Sequence, residues 1–407
     1  MPRATAHAPR SPLGHPTSRR RVLAGAAGLA LLAALGRPGA AAAQELRFFR
    51  IATGTTGGTY FPIGGLIANA ISNPPGSRPC ERGGSCGVPG LIAVAQATSG
   101  SVENIELLRT GGAEAALSQA DVAFWAYTGT GIYEGRPPLD SLRSIGTLYT
   151  EAVHIVVRAD SDIRTVADLR GKVVSVGEEG SGTLVDARVV LDAYGLGLGD
   201  LQPRHLKPGT AADRLARRDL DAFFIVGGFP VAAVTDVAAR VPVRLLPVDG
   251  EVARRLLADQ RFFIEGVIPA DVYPGVPETP ALSVGAEFVV RADRPEDLIH
   301  GVTRALWHDS TRRLLAEGHP KGSSLDPARA VANVSVPLHP GAERYYREAG
   351  LIDATEAEDE PDPVPAPEST PESAGEPAPP AAAPATAPAA ATPPGAGPAP
   401  VPAGAKP

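Results

Sequence analysis

Two cysteines, one methionine and two tryptophans in 407 residues leave little material for several kinds of chemistry. Cys80 and Cys86 are two short of a four-ligand zinc site, and no further Cys or His stands beside them. None of the eight histidines lies in an H-E-x-x-H pattern, so no metal site is expected. No Lys-Ser/Thr follows the glycine-rich turns, as a Walker loop requires, and their spacing departs from the G-x-G-x-x-G dinucleotide fingerprint. No nucleophilic triad is visible, so no catalytic residue, enzyme activity or cofactor is expected. Positive charge is not gathered into a stripe, and the net charge is -7, so nucleic acid is not an expected partner. From residue 44 onward no run is long and apolar enough to span a bilayer.

What is present divides into two biased ends and a body. Arg19, Arg20 and Arg21 precede an apolar stretch from Ala24 to Leu35, and Ala41, Ala42 and Ala43 follow it. A basic region, an apolar region and a small-residue cleavage site in this order describe a signal peptide over residues 1–43. Its paired arginines resemble the twin-arginine export motif, which sends a protein to the periplasm. A retained anchor is the alternative, although the apolar stretch falls short of the roughly 20 residues a span needs. Residues 356–407 are mostly Pro and Ala, with almost no large aliphatics or aromatics. Such a segment cannot bury enough surface to offset its ordering entropy, so a disordered, extended tail is expected, either a spacer or dispensable. In an exported chain, Cys80 and Cys86 in a loop of Gly, Pro and Ser read as one local disulfide, with two free thiols as the alternative.

The body alternates short β-rich runs with helical patterns. Strands are expected at 48–52, 91–95, 115–118, 145–148, 154–157, 172–176, 203–207, 222–226, 243–246 and 282–290. Helices are expected at 60–71, 101–109, 122–127, 165–169, 184–193, 211–217, from 230, at 295–307 and at 311–316. Strands separated by helices mean βαβ units and mostly parallel sheets. The pattern restarts near residue 165, which implies two α/β lobes: a first lobe over 44–155 and 276–355, and a second over 156–275. Two chain crossings can serve as a hinge over a central cleft.

Two motifs occupy equivalent places in the two halves. Thr53-Gly54-Thr55-Thr56-Gly57-Gly58-Thr59-Tyr60 leads from a strand into a helix, and so does Gly180-Ser181-Gly182-Thr183. Ligands bind at the carboxyl ends of strands in open α/β sheets, where free N–H groups and the helix dipole favour an anion. Ordinary capping by Ser181 or Thr183 is the plainer reading of the second turn. Tyr60 offers a ring and a hydroxyl. Ser101 can cap the next helix, and Asn104, one turn on, can point into the same crevice. Gln119 stands at a further strand-to-helix junction, beside Asp121, which suits a cap or hinge bond better than an acid catalyst. His154 falls in a strand. Trp125 and Trp307 fall in helical segments and suit a core.

The run from Ile51 through Gly57-Gly58-Thr59-Tyr60-Phe61-Pro62 resembles the TAXI family, the extracytoplasmic solute receptors of tripartite ATP-independent periplasmic (TRAP) transporters. Gly100-Ser101-Val102-Glu103-Asn104, Gln119-Ala120-Asp121-Val122, Val166-Ala167-Asp168-Leu169-Arg170-Gly171-Lys172, Gly180-Ser181-Gly182-Thr183 and Tyr273-Pro274-Gly275-Val276 support the resemblance, as does Pro337-Leu338-His339-Pro340-Gly341-Ala342. It covers residues 48–351, with 74–89 as an insertion. It implies a type II periplasmic-binding-protein fold, a monomer, and a TRAP-type integral membrane permease as partner. It also implies a small anionic or zwitterionic solute: glutamate, glutamine or a dicarboxylate. By position it implies a ligand site of Thr55, Gly57, Gly58, Thr59, Tyr60, Ser101, Asn104 and Gln119 from one lobe, answered by Gly180, Ser181, Gly182 and Thr183 from the other. No arginine can be assigned as a carboxylate clamp, Arg158 being the conceivable choice. A sensory receptor and an enzyme working in the cleft are the rival readings.

Overall fold

A computed structural model describes residues 46–353; the expected signal peptide and Pro/Ala-rich tail lie outside them. The first half of the fold follows the alternation in the sequence. Strand β1 (Arg47–Ala52) leads to helix α1 (Tyr60–Ile71), whose Ile63, Ile67 and Ile71 recur at i, i+4, i+8 and form a fully buried stripe. After the short pair β2 (Ser72–Asn73) and β3 (Val88–Pro89) come β4 (Leu91–Gln96), α2 (Ser101–Thr110), β5 (Ala115–Gln119) and α3 (Ala120–Thr128). β4, β1 and β5 are parallel neighbours, as βαβ units require. Between β2 and β3, Cys80 and Cys86 form a disulfide, and the expected pairing holds.

The sequence suggests two strands at 145–148 and 154–157. The structure has one 17-residue strand there, β6 (Leu142–Arg158). The polar pair Thr150-Glu151 interrupts the apolar run without interrupting the backbone. β6 alternates faces as a strand must: Val153, Ile155 and Val157 enter one apolar cluster, while Ala152 and Val156 enter another. The second half then supplies β7 (Val173–Ser175), α4 (Gly182–Ala193), β8 (Gln202–Arg204), α5 (Pro208–Arg217), β9 (Ala222–Gly227), α6 (Ala232–Arg240) and β10 (Val243–Leu245). Helix α7 (Gly250–Asp259) and strand β11 (Ile264–Ile268), both absent from the sequence reading, precede the long return strand β12 (Thr279–Arg291). Helices α8 (Glu296–Leu306), α9 (Asp309–Gly318) and α10 (Pro340–Glu348) close the fold; α10 is also absent from the sequence reading.

The sheets are less parallel than the βαβ pattern suggests. The strand order is β4-β1-β5-β12-β6-β9-β7-β8, one continuous curled sheet. Its two ends are parallel, but the centre is antiparallel: β12 with β5 and β6, and β6 with β9. Two register shifts interrupt the β12–β6 ladder, at Ala286/Glu287 and Phe288/Val289. Such bulges bend a strand and raise its twist. β6 and β12 therefore run through both lobes, and each lobe packs its own helices onto the ends of the shared sheet. This is a type II periplasmic-binding-protein-like fold with two α/β lobes.

Candidate functional site

The strand-to-helix turns after β1, β5, β7 and β9 come together where the lobes meet. A cavity of about 60 Å³ lies between them. That is room for a few water molecules or one small, tightly held solute. Its walls come from both lobes: Thr55, Gly58, Thr59 and Tyr60 at the start of α1; Ser101 and Gln119 beside them; Ser181, Gly182 and Thr183 at the start of α4. Nine of the twelve residues singled out in the sequence thus share one enclosure. The other three do not line it. Gly57 faces Pro208, Gly209 and Ala233. Gly180 faces Ser99 and Glu103.

Asn104 is the third. It is fully buried, and all its hydrogen-bonding capacity but one lone pair is in use. Nδ2 donates to Thr53 O at 2.5 Å and Leu117 O at 2.7 Å, and Oδ1 accepts from Thr98 Oγ1 at 2.6 Å. It ties α2 to the ends of β1 and β5 and holds the floor under the cavity. The hydroxyls at the second turn are engaged as well. Ser181 Oγ accepts from Leu184 N at 3.1 Å, a helix N-cap, and donates to Glu178 O. Thr183 Oγ1 accepts from Val226 N at 3.1 Å.

The lobes touch directly around the cavity. Thr59 Oγ1 donates to Gly228 O at 2.8 Å, Glu103 N to Gly180 O at 3.0 Å, and Ala233 N to Gly57 O at 3.2 Å. Gln119 Nε2 donates to Asp186 Oδ2 at 2.6 Å. Gly182 sits so close to Gln119 that a Cβ there would fall 1.3 Å from Gln119 Oε1. The arrangement is a closed cleft.

Two carboxyl groups that the motifs do not reveal also line the cavity, Glu151 on β6 and Glu178 after β7, and among the described residues no Arg or Lys does. Tyr60 Oη donates to Glu151 Oε2 at 2.7 Å. Burial pushes Glu151 up to about 8, against the opposing pull of the Tyr60 hydrogen bond and the Lys321 charge. Burial also raises Glu178 and raises Tyr60 well above its ordinary range. Two cations bear on these carboxyls from behind the wall: Lys207, between the lining residues Leu206 and Pro208, pulls Glu178 down, and Lys321, nine-tenths buried with its Nζ 4.4 Å from the Phe229 ring centroid, pulls Glu151 down. A sequence signal for Glu151 does exist: it is the one charged residue between Leu148 and Val157 in a central strand. Burying it needs a partner or a proton.

The remaining candidates serve the scaffold. Arg158 lies at the far end of β6, paired with Asp160 at 3.0 Å and bonded to Ala216 O at 3.2 Å, so it is no clamp for a ligand. His154 is fully buried: Nδ1 donates to Ala152 O at 2.9 Å and Nε2 accepts from the Tyr273 hydroxyl at 2.9 Å. Burial lowers its pKa to about 4. Trp307 is buried and donates to Tyr346 Oη at 2.8 Å, whereas Trp125 is half-buried and packs edge-on against Phe262. Gly83-Gly84-Ser85-Cys86-Gly87 spells the G-x-S-x-G of a nucleophile elbow. Its Ser85 lies in the disulfide loop ahead of β3, bonded to Ser72 O and Gly87 N, and not on a strand-to-helix turn. Among the described residues no helix is long and apolar enough to cross a membrane.

The fold resembles solved binding proteins in part. The periplasmic aliphatic sulphonate binding protein SsuA of Escherichia coli is 17% identical, with a TM-score of 0.37, over 74% of this chain and 83% of that one. The alkanesulfonate-binding protein SsuA of Xanthomonas axonopodis pv. citri, bound to MOPS, is 18% identical, with a TM-score of 0.38, over 75% and 85%. The assignment rests instead on the family model of the NMT1-like family, which matches residues 51–350. The chain belongs to the NMT1-like family, extracytoplasmic solute-binding proteins of the type associated with TAXI receptors.

Proposed function

We propose that this protein is a periplasmic receptor that closes on an amino acid such as glutamate or glutamine and delivers it to a TRAP-type integral membrane permease. The observation that carries the reading is the make-up of the cavity: backbone turns at two helix N-termini together with the carboxyls of Glu151 and Glu178 and, among the described residues, no lining cation. Helix N-termini favour a carboxylate. The two side-chain carboxyls favour an ammonium. A zwitterion satisfies both ends, whereas a plain dicarboxylate brings no cation to the two carboxyls. An arriving ammonium would also draw the proton off Glu151, because an opposite charge at contact favours the ionised form.

The lobes would be residues 44–155 with 276–355, and 156–275, hinged where β6 and β12 cross between them. Each lobe would contact the solute, so the closed state gains affinity that the open state lacks. The receptor would act as a monomer, exported by the twin-arginine route, with the Pro/Ala tail as a spacer. The ligand contacts would be made by Thr55, Gly58, Thr59, Tyr60, Ser101, Gln119, Ser181, Gly182 and Thr183, with Gly57, Asn104 and Gly180 supporting them. Binding without turnover is the reading, since among the described residues the cavity presents carboxyls, hydroxyls and amides that can hold a solute from both lobes.

A thermal-shift screen of amino acids and dicarboxylates tests it. A true ligand stabilises by RT ln(1 + [L]/Kd), about 2.7 kcal/mol at a hundredfold excess over Kd. At least one α-amino acid should raise the melting temperature in this way. A shift by dicarboxylates alone, with none by any amino acid, would refute the zwitterion assignment.

A further inference from the structure

Behind the cavity wall the two lobes bring together a pair of carboxyl groups that solute capture does not use. Asp121 lies in the first turn of α3 in one lobe, and Asp186 lies on α4 in the other. Both are fully buried. Asp186 Oδ2 accepts from Gln119 Nε2 at 2.6 Å, but Asp186 Oδ1 and both oxygens of Asp121 meet no donor in hydrogen-bond geometry. Gln119, two residues before Asp121, holds Asp186 across the interface, which sets the two carboxyl groups against each other. Carboxylates only accept, so that contact is a bond only if one of them carries a proton. A third buried acid, Glu151 on β6, adds negative charge only once it ionises, and then raises Asp186 further. The cation on that side, Lys321, bears on Glu151. Two like charges in contact in a dry interior cannot both persist.

We propose that Asp121 and Asp186 share one proton across the lobe interface, making a latch that lets the receptor close only by taking up a proton. In the open cleft both groups meet water and titrate in the ordinary aspartate range. In the closed form burial raises Asp121 to about 6, the N–H groups opening α3 pulling against it, and raises Asp186 well above its usual value through burial and the Asp121 charge. A pKa raised on closing favours closure fully below the open-state value, and the advantage is lost as pH rises through the closed-state values. The window therefore opens near pH 4 and extends upward past 6. With one proton taken up, the closed-to-open ratio falls up to tenfold per pH unit within it. The latch rests on two-lobe closure alone and not on which solute is bound.

The test uses the mature chain without solute. Spin labels at Glu134→Cys and Arg188→Cys, exposed positions on opposite lobes, report the lobe-to-lobe distance between pH 5 and 9. The doubly labelled protein without further substitution should shift from the short to the long distance as pH rises. Asp186→Asn supplies an N–H donor in place of the shared proton and should keep the short distance to higher pH. Asp121→Asn should do the same and serves as the second route if Asp186→Asn does not fold. Glu151→Gln controls for that neighbour's own titration and should leave part of the pH response in place. A carboxylic-acid C=O infrared absorption at pH 7 that loses part of its intensity in Asp186→Asn, beside that of Glu151, would add support. If both Asn variants open over the same pH range as the wild type, or if the distance never changes with pH, the latch is wrong. Because no solute is present, that result leaves the capture reading standing.

Discussion

Gly182→Ala should prop the cleft open without unfolding either lobe. A Cβ at residue 182 would lie 1.3 Å from Gln119 Oε1, 2.5 Å from its Cδ and 2.7 Å from Ser101 Oγ. A carbon and an oxygen at rest need more than 3 Å, so something must move by about 2 Å. Gln119 is not free to swing away, because Nε2 is held by Asp186 and Oε1 accepts from Ser101 Oγ at 3.2 Å. Either the lobes separate or both bonds break. A hydrogen bond to a charged group contributes about 1.5–3 kcal/mol and a neutral one about 0.5–1.5, so closure loses on the order of 2–4 kcal/mol. That corresponds to solute binding about 30- to 1,000-fold weaker. The second lobe should not suffer, since Ala is a better helix former than Gly by up to about 1 kcal/mol and residue 182 has no left-handed backbone to strain it. Calorimetric titration with the solute that emerges from the screen measures the first quantity, and thermal unfolding of the solute-free protein measures the second. Wild-type affinity in a folded Gly182→Ala protein would refute the closed arrangement around Gln119.

Three further outcomes are expected. Asn104→Ala removes three buried hydrogen bonds and leaves backbone carbonyls unpaired, so urea unfolding should show a loss of about 2–5 kcal/mol. Glu151→Gln should weaken amino-acid binding at least about tenfold, because the ammonium loses a charged partner, while the Tyr60 hydroxyl keeps an acceptor; unchanged affinity would place the ammonium elsewhere. His154 is held neutral by burial, with a pKa near 4 instead of the ordinary 6.5. A depressed pKa gives stability that is present above about pH 6.5 and lost as pH falls towards 4, by up to about 3 kcal/mol, so His154→Gln should show a flatter loss of stability over that range.

How much of this was legible in the sequence depends on whether the signal is local. The strand–turn–helix units are local: glycines and hydroxyls between an apolar run and a 3.6-residue pattern mark them, and the ends of α1, α2 and β9 fall within a residue of expectation. Helix α7 escapes because only Ala253 and Leu256 are buried on it, and β11 because it is an edge strand with Ile264 and Val267 half exposed. Neither has the apolar periodicity that a reader follows. The site divides along the same line. Its amide turns are written in consecutive residues, so both are legible there. Its carboxyls depend on contacts between distant segments: Tyr60 meets Glu151 ninety-one residues away, and Gln119 meets Asp186 sixty-seven residues away in the other lobe. Asn104 shows the converse limit. Helical spacing from Ser101 predicts its face, but only the structure shows that β1 and β5 take up both of its amide donors. Two positive helix ends suggest an anion; adding Glu151 and Glu178 changes that expectation to a zwitterion. In the proposed reading, the charge of the solute is therefore set by the residues that the local motifs leave out.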